Sequence, residues 1–315
     1  MTKKFVVATR PSLLAYTQTQ QTVDLLRAKN PDCEFEIVKI STHGDTVTDK
    51  PLTAFGGTGV FVKELENALY EGKAHFAVHS LKDVPSIQPE GLVLAAFPTR
   101  QDPRDLLLTR GGVSVADLPS PCVIGTGSPR RIVQVAKLKE GITFADLRGN
   151  IDTRLKKLED GQYDAIVLAA AGLKRLGKEI AESAYMSTDV CLPAIGQGAI
   201  AIECRADDAE TIAMLKSIND AATETAIVAE RSYMKTIGGG CKFPLGAYAT
   251  VANGEVNLHV MLGNHHTGQI IRMNETGSIA IAEKLGQKLG EAMIAEAERQ
   301  GIDFRSPLNP PLGDL

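Results

Sequence analysis

The chain has 315 residues, 43% hydrophobic and 23% charged, with a formal net charge of −4. At about 100–200 residues per domain the length predicts two or three domains, and so apolar a chain excludes wholesale disorder. The mild acidic excess argues against a general nucleic-acid binder, whose footprint is strongly basic.

In chain order, short β-rich runs alternate with amphipathic helical patterns. Phe5–Thr9 reads as a strand, Leu13–Lys29 as a helix, Phe35–Ile40 as a strand and Phe61–Glu71 as a helix stopped by Gly72. His75–His79, Leu92–Phe97, Leu106–Thr109 and Cys122–Gly125 read as strands. A helix starts at Pro129, a strand lies near Ile142–Phe144, a helix covers Ile151–Leu158 and a strand Ala165–Leu168. Such alternation predicts βαβ units and mostly parallel sheets. Three further β-like runs, Gly246–Val251, Val256–Leu262 and Gln269–Met273, precede an Ala-rich helix, Ile279–Glu298. They predict a small α+β domain from about residue 220. No internal repeat is evident, and a tail rich in Pro and Gly (306–315) is expected to be loose.

The five cysteines (33, 122, 191, 204, 241) include no CxxC pair. Zinc-ligand spacing is absent, so no metal is expected, and the thiols read as those of a cytoplasmic protein. His265-His266 reads as a solvated turn. The apolar start is cut short by Arg10, too early for a signal peptide, and the longest apolar run, Ala165–Leu173, is half a membrane span. No membrane partner is expected.

Seven stretches could carry chemistry. Cys122–Arg131 (CVIGTGSPRR) runs a strand into a glycine turn, with Ser128 as a helix N-cap before Pro129. Arg130 and Arg131 then add forked donors suited to carboxylates; a capped helix with solvated arginines fits about equally well. In Leu147–Arg154 (LRGNIDTR), Asn150 is the N-cap, and Arg148 and Arg154 lie off the apolar stripe. Residues 120–160 hold eight Lys or Arg against five Asp or Glu, a local excess that fits a pocket for a polyanionic small molecule or plain surface charge. Ala77–Pro85 (AVHSLKDVP) ends a strand in polar side chains, where the edge of a parallel sheet meets a ligand crevice. Asp83 beside Lys82 suits proton transfer or stabilisation of a cation; a surface ion pair is the bland reading. Arg10 and Ser12 stand at another strand-to-helix turn. Phe55–Lys63 (FGGTGVFVK) lacks a P-loop ending and reads as a flexible lid. Leu192–Ala199 (LPAIGQGA) is a glycine-punctuated crossing. Gly238–Cys241 (GGGC) leaves a thiol accessible as a nucleophile or attachment point.

Together, ATRPS, GDT, GVFVKELE, HSLKDVP, GTGSPRR, LRGN, YDAIVLAAAGLKRL, LPAIGQGAI, IECR, ER and GGGC, in this order along about residues 3–263, resemble the porphobilinogen deaminase (hydroxymethylbilane synthase) family. The resemblance implies an α/β fold of three domains: two lobes like those of periplasmic binding proteins (1–98 with 199–216, and 104–192) and a C-terminal α+β domain (220–315). It implies a transferase that condenses four porphobilinogen molecules head to tail, with loss of ammonia, into hydroxymethylbilane, the precursor of haem. It also implies a dipyrromethane cofactor held by a thioether, with Cys241 at the attachment position and Asp83 as the catalytic carboxylate. Lys82, Thr126, Ser128, Arg130, Arg131, Arg148 and Gly149 would hold the cofactor. Arg10, Ser12, Phe61, Arg148, Arg154 and Gln197 would hold the substrate. A cytoplasmic monomer is expected.

The chain departs from the family pattern. Ala54 and Thr58 replace loop lysines, His43 stands where a basic residue is common, Gly127 replaces a hydroxyl residue and Pro129 an aliphatic one. Weakened carboxylate binding is the expected consequence. Two alternatives stay beside the main reading: a two-lobed binding protein for an anionic small molecule, and a family member with impaired turnover.

Overall fold

A computed structural model describes residues 3–42, 62–238, 243–264 and 266–304. His43, Ala54, Thr58, Phe61, Cys241, His265 and the tail lie outside them, so the expectations for the glycine-rich loop, the attachment position and the tail concern residues beyond this description.

The fold is α/β, in three domains. The first lobe holds β1 (Lys3–Thr9), α1 (Leu13–Lys29), β2 (Cys33–Lys39), α2 (Lys63–Tyr70), β3 (Phe76–Ser80) and β4 (Leu92–Ala96). The second holds β5 (Asp105–Thr109), β6 (Cys122–Gly125), α3 (Pro129–Val135), β7 (Ile142–Ala145), α4 (Ile151–Glu159), β8 (Ala165–Ala169) and α5 (Ala170–Arg175). The chain then returns to the first lobe with β9 (Ile200–Arg205) and α6 (Ala209–Lys216) before α7 (Ala221–Ile237).

The two sheets share one plan. Their orders are β2-β1-β3-β9-β4 and β7-β6-β8-β5. In each, three parallel strands run in the order second, first, third, and the next strand is antiparallel: β9 against β3 and β4, β5 against β8. The expected parallel pairing thus covers β1–β3 and β6–β8, and the reversed strand is the one that enters each lobe straight after a crossing. No residue pattern announces this repeat, because it lies in topology. Both sheets are buried on both faces, with Val7, Phe76, Val78 and Ile202 in one core and Ile124, Ala165 and Val167 in the other.

The crossings, 97–104 and 192–199, lie side by side. Gln101 N donates to the Gly198 carbonyl (3.2 Å), Arg100 Nε to the Gln197 carbonyl (2.9 Å) and Gln197 Nε2 to the Pro103 carbonyl (2.6 Å). Gly198 has φ +87°, and a β-carbon there would strike the Gln101 carbonyl, so the close approach requires glycine.

The C-terminal domain is an antiparallel meander, β10 (Leu245–Ala252), β11 (Glu255–Gly263) and β12 (Ile270–Ser278), followed by α8 (Ala282–Arg299). Alternate residues of β11, Val256, Leu258, Val260 and Leu262, face a core completed by Tyr233 of α7 and Leu285, Leu289 and Met293 of α8. Glu230 of α7 is fully buried. It pairs with Arg100 of the first crossing and accepts from Gly196 N and Ala249 N, each at 2.8 Å.

Candidate active site

The turn after β3 carries Lys82 and Asp83. Leu81–Asp83 form a single 3-10 turn, its entry held by Leu81 N on the Ala199 carbonyl (3.1 Å) and its exit by Val84 N on the Leu81 carbonyl (3.0 Å). His79, just before it, is buried with Nε2 at 3.0 Å from Glu203 of β9. That histidine is thus a buried, satisfied structural residue.

Lys82 and Asp83 are coupled by charge to cations of the second lobe. Burial pushes the Lys82 ammonium down, with Arg131 and Arg130 pushing the same way against the opposing pull of Asp83 and Asp105. Arg154 is pushed down to about 10, first by burial, then by the charges of Arg131 and Arg148, against the pull of Asp146 and Asp83. Mutual repulsion of this kind marks a cluster with more cations than counter-charges.

Each arginine is held by a neighbour. Arg154 Nε donates to the Gly149 carbonyl at 2.7 Å, and Arg148 Nε meets Asp146 Oδ2 at 2.8 Å. Asn150 caps α4 as expected, accepting from Thr153 N at 2.8 Å, and Ser12 caps α1 through Ala15 N at 3.3 Å. Arg10 follows β1, two residues before that cap. Ser128 occupies the N-cap position ahead of Pro129, but its side chain makes no capping bond. Its N–H instead donates to the hydroxyl of buried Thr126 at 3.2 Å.

Two residues escaped sequence reasoning. Asp105, the first residue of β5, is fully buried beneath the arginine pair. Its Oδ2 accepts from Arg130 Nη1 (2.7 Å), and its Oδ1 from Arg131 Nη2 (2.7 Å) and Nε (3.1 Å) and from Gln197 Nε2 (3.0 Å). Burial alone would raise this carboxyl; the two guanidinium charges and their hydrogen bonds outweigh it and hold the group well below the usual carboxylate range. Gln197 is itself buried, and its Oε1 has no hydrogen-bond partner among the described residues. Asp146 is the second. A β-carbon on Gly127 would collide with its carboxylate, so Gly127 makes the room that Asp146 fills beside Arg148. The signal for Asp105 was the run Asp102-Pro-Arg-Asp105 before an apolar strand; for Asp146 there was none.

The comparisons with known proteins bear on what such a pocket takes. Residues 5–213 match the model of the porphobilinogen deaminase dipyrromethane cofactor binding domain, and residues 224–295 that of the porphobilinogen deaminase C-terminal domain. A porphobilinogen deaminase of Brevibacillus brevis is 47% identical over 294 residues, covering 93% of this chain and 94% of its own. One of Roseiflexus sp. is 44% identical over 299 residues (95% and 98%), and one of Halalkalibacterium halodurans 41% over 304 residues (96% and 97%). Matched over nearly its whole length at this identity, the chain belongs to the porphobilinogen deaminase family, and it condenses porphobilinogen into hydroxymethylbilane on a dipyrromethane cofactor.

Proposed function

We propose that this reaction runs in the cleft between Asp83 and the arginines of the second lobe, with the cofactor joined to Cys241. What supports the reading is that Asp83 of the first lobe and Arg131 and Arg148 of the second all bear on the Arg154 guanidinium, while Arg130 and Arg131 share the Asp105 carboxylate with Gln197 of the crossing between the lobes. The donor set suits a dipyrromethane. Each pyrrole ring carries two carboxylates, which match the surplus of guanidinium groups, and a pyrrole N–H needs an acceptor, which Asp83 supplies together with Gln197 Oε1, an oxygen without a hydrogen-bond partner among the described residues. When bound, the group supplies the nucleophilic pyrrole carbon onto which substrate units are joined.

The chain's own residues do the rest. Arg10, Arg148 and Arg154 take carboxylates of the incoming unit and, with Ser12, Phe61 and Gln197, orient its ring. Arg130 and Arg131, oriented by Asp105, hold the cofactor carboxylates with Lys82, Thr126, Ser128 and Gly149. As the amine leaves, the substrate pyrrole becomes electron-poor, and the Asp83 carboxylate stabilises the charge at its N–H. The same carboxylate accepts and returns the protons displaced at each coupling.

Domain limits of 1–98 with 199–216, 104–192 and 220–315 go with this reading, supported by sheet membership. So does a cytoplasmic monomer with neither nucleic-acid nor membrane partner; among the described residues no helix is long and apolar enough to cross a membrane. Light scattering of the purified protein checks the monomer.

The test of the site is the denatured intact mass before and after incubation with porphobilinogen. The expected result is added mass equal to two deaminated units on the Cys241 peptide, followed by single-unit steps with substrate. Asp83→Ala should keep the attached cofactor and lose turnover, and Cys241→Ser should carry no covalent pyrrole. Normal turnover in the first variant, or pyrrole on the second, refutes the assignment of that residue.

A further inference from the structure

We propose that Arg231 is a positioning residue for the turn that bears Asp83, pinning it to helix α7 of the C-terminal domain. The inference rests on the reading of Asp83 as the catalytic carboxylate. Arg231 Nη2 donates to the carbonyls of Pro85 (2.7 Å) and Ser86 (3.3 Å) and to Gln88 Oε1 (3.2 Å), and Nη1 reaches the Val84 carbonyl at 3.5 Å. All four acceptors lie within the five residues that follow Asp83. Among the described residues these partners are carbonyl and amide oxygens, and burial pushes the guanidinium down to about 10 against the pull of Glu203. A desolvated cation balanced by backbone carbonyls adds little net stability of its own. What it does provide is geometry: one planar fork fixes several oxygens at once, which an ammonium cannot do.

The grip continues behind the turn. Gln88 Nε2 donates to Glu203 Oε1 at 2.7 Å, and the other oxygen of Glu203 meets His79. The segment from His79 to Gln88 is therefore held at one end by β9 and at the other by α7, with Asp83 between the two anchors. Arg231 stands ten residues before Cys241 (241 − 231) on a helix that runs to Ile237. In this arrangement one rigid rod is the reference both for the turn with the carboxylate and for the chain leading to the cofactor anchor. A displacement of about 1 Å in such a constellation can cost on the order of 100-fold in rate.

The test uses the full-length, cofactor-bearing protein. Arg231→Lys, Arg231→Gln and Gln88→Leu (which removes the link to Glu203 and one of the four Arg231 contacts, leaving the three to backbone carbonyls) are measured for kcat, KM, cofactor content by denatured mass, and thermal midpoint. Arg231→Lys should remain folded with cofactor attached and lose about 10-fold or more in kcat, with KM changed by no more than about twofold. Gln88→Leu should show the same pattern more weakly. Full kcat in folded Arg231→Lys overturns the proposal. So does a kcat that falls only in step with the folded, cofactor-bearing fraction, since that is the mark of a structural role. If Arg231→Gln does not fold, the other two variants decide. Asp83→Ala is run in parallel: turnover retained there refutes the reading of Asp83 itself, whatever Arg231 does.

Discussion

On the proposed reading, the exposed carboxylate of Asp146 stands beside an arginine that takes substrate carboxylates. It pairs with Arg148 and offsets part of the charge at Arg154, so an incoming propionate or acetate must compete with a counter-ion already in place. Asp146→Asn removes that competitor. The expected outcome is a KM for porphobilinogen lower by about threefold to tenfold, the scale of a partly exposed charge-assisted hydrogen bond, read from initial rates. A raised KM would mean instead that Asp146 presents Arg148 to the substrate. Asp105 acts in the opposite way, as the fixed support of Arg130 and Arg131. Asp105→Asn leaves two buried guanidinium groups undercompensated and should cost about 3–5 kcal/mol, read by denaturant unfolding at neutral pH. Motifs made the arginines legible in the sequence, since paired arginines at a strand-to-helix turn announce an anion. Asp105 beneath them was not, because a buried carboxylate reads like a surface one until its partners, 25 and 26 residues away, fold onto it.

At the scale of elements, regular hydrophobic periodicity was readable and its interruption was not. Leu13–Lys29 and Cys122–Gly125 form with the bounds their patterns predict, and the first two C-terminal strands come within a residue at each end, whereas β12 runs on to Ser278, past its expected end at Met273, and the helix after it starts at Ala282 rather than Ile279. The segments that gave no clear pattern, β9 and α7, each bury a charged residue in their core-facing positions, Glu203 in one and Glu230 in the other. A buried acid breaks an apolar stripe on paper while stabilising it in space through a long-range partner. Helix α5 was hidden for another reason: it follows β8 with no connecting residue, so strand and helix read as one apolar run. The paired crossings make their own prediction. Gly198→Ala forces a side chain against the Gln101 carbonyl at a left-handed backbone position and should cost about 1–3 kcal/mol, seen as a lower thermal midpoint. An unchanged midpoint would show that the crossings can separate without penalty.

Over the whole molecule, acid weakens the junction between the lobes. Asp102 is held down at about 2 despite its burial, by hydrogen bonds from Arg104 and Lys174, and Asp105 is lower still. Carboxyl groups depressed in the folded state stabilise it above their unfolded value of about 4, and that contribution drains away as pH falls through the folded value. The stability gap between the wild type and Asp105→Asn should therefore be full at neutral pH and narrow from about pH 4 downward, as thermal midpoints across that range would show. The shared strand plan has a further consequence during synthesis on the ribosome. Strand β9 lies between β3 and β4 in the first sheet, yet it is made only after the whole second lobe has emerged. The second sheet draws all its strands from one unbroken stretch, residues 105–169. A nascent chain must thus carry its first lobe with the slot between β3 and β4 vacant while the later lobe matures, so the order of folding runs against the order of translation.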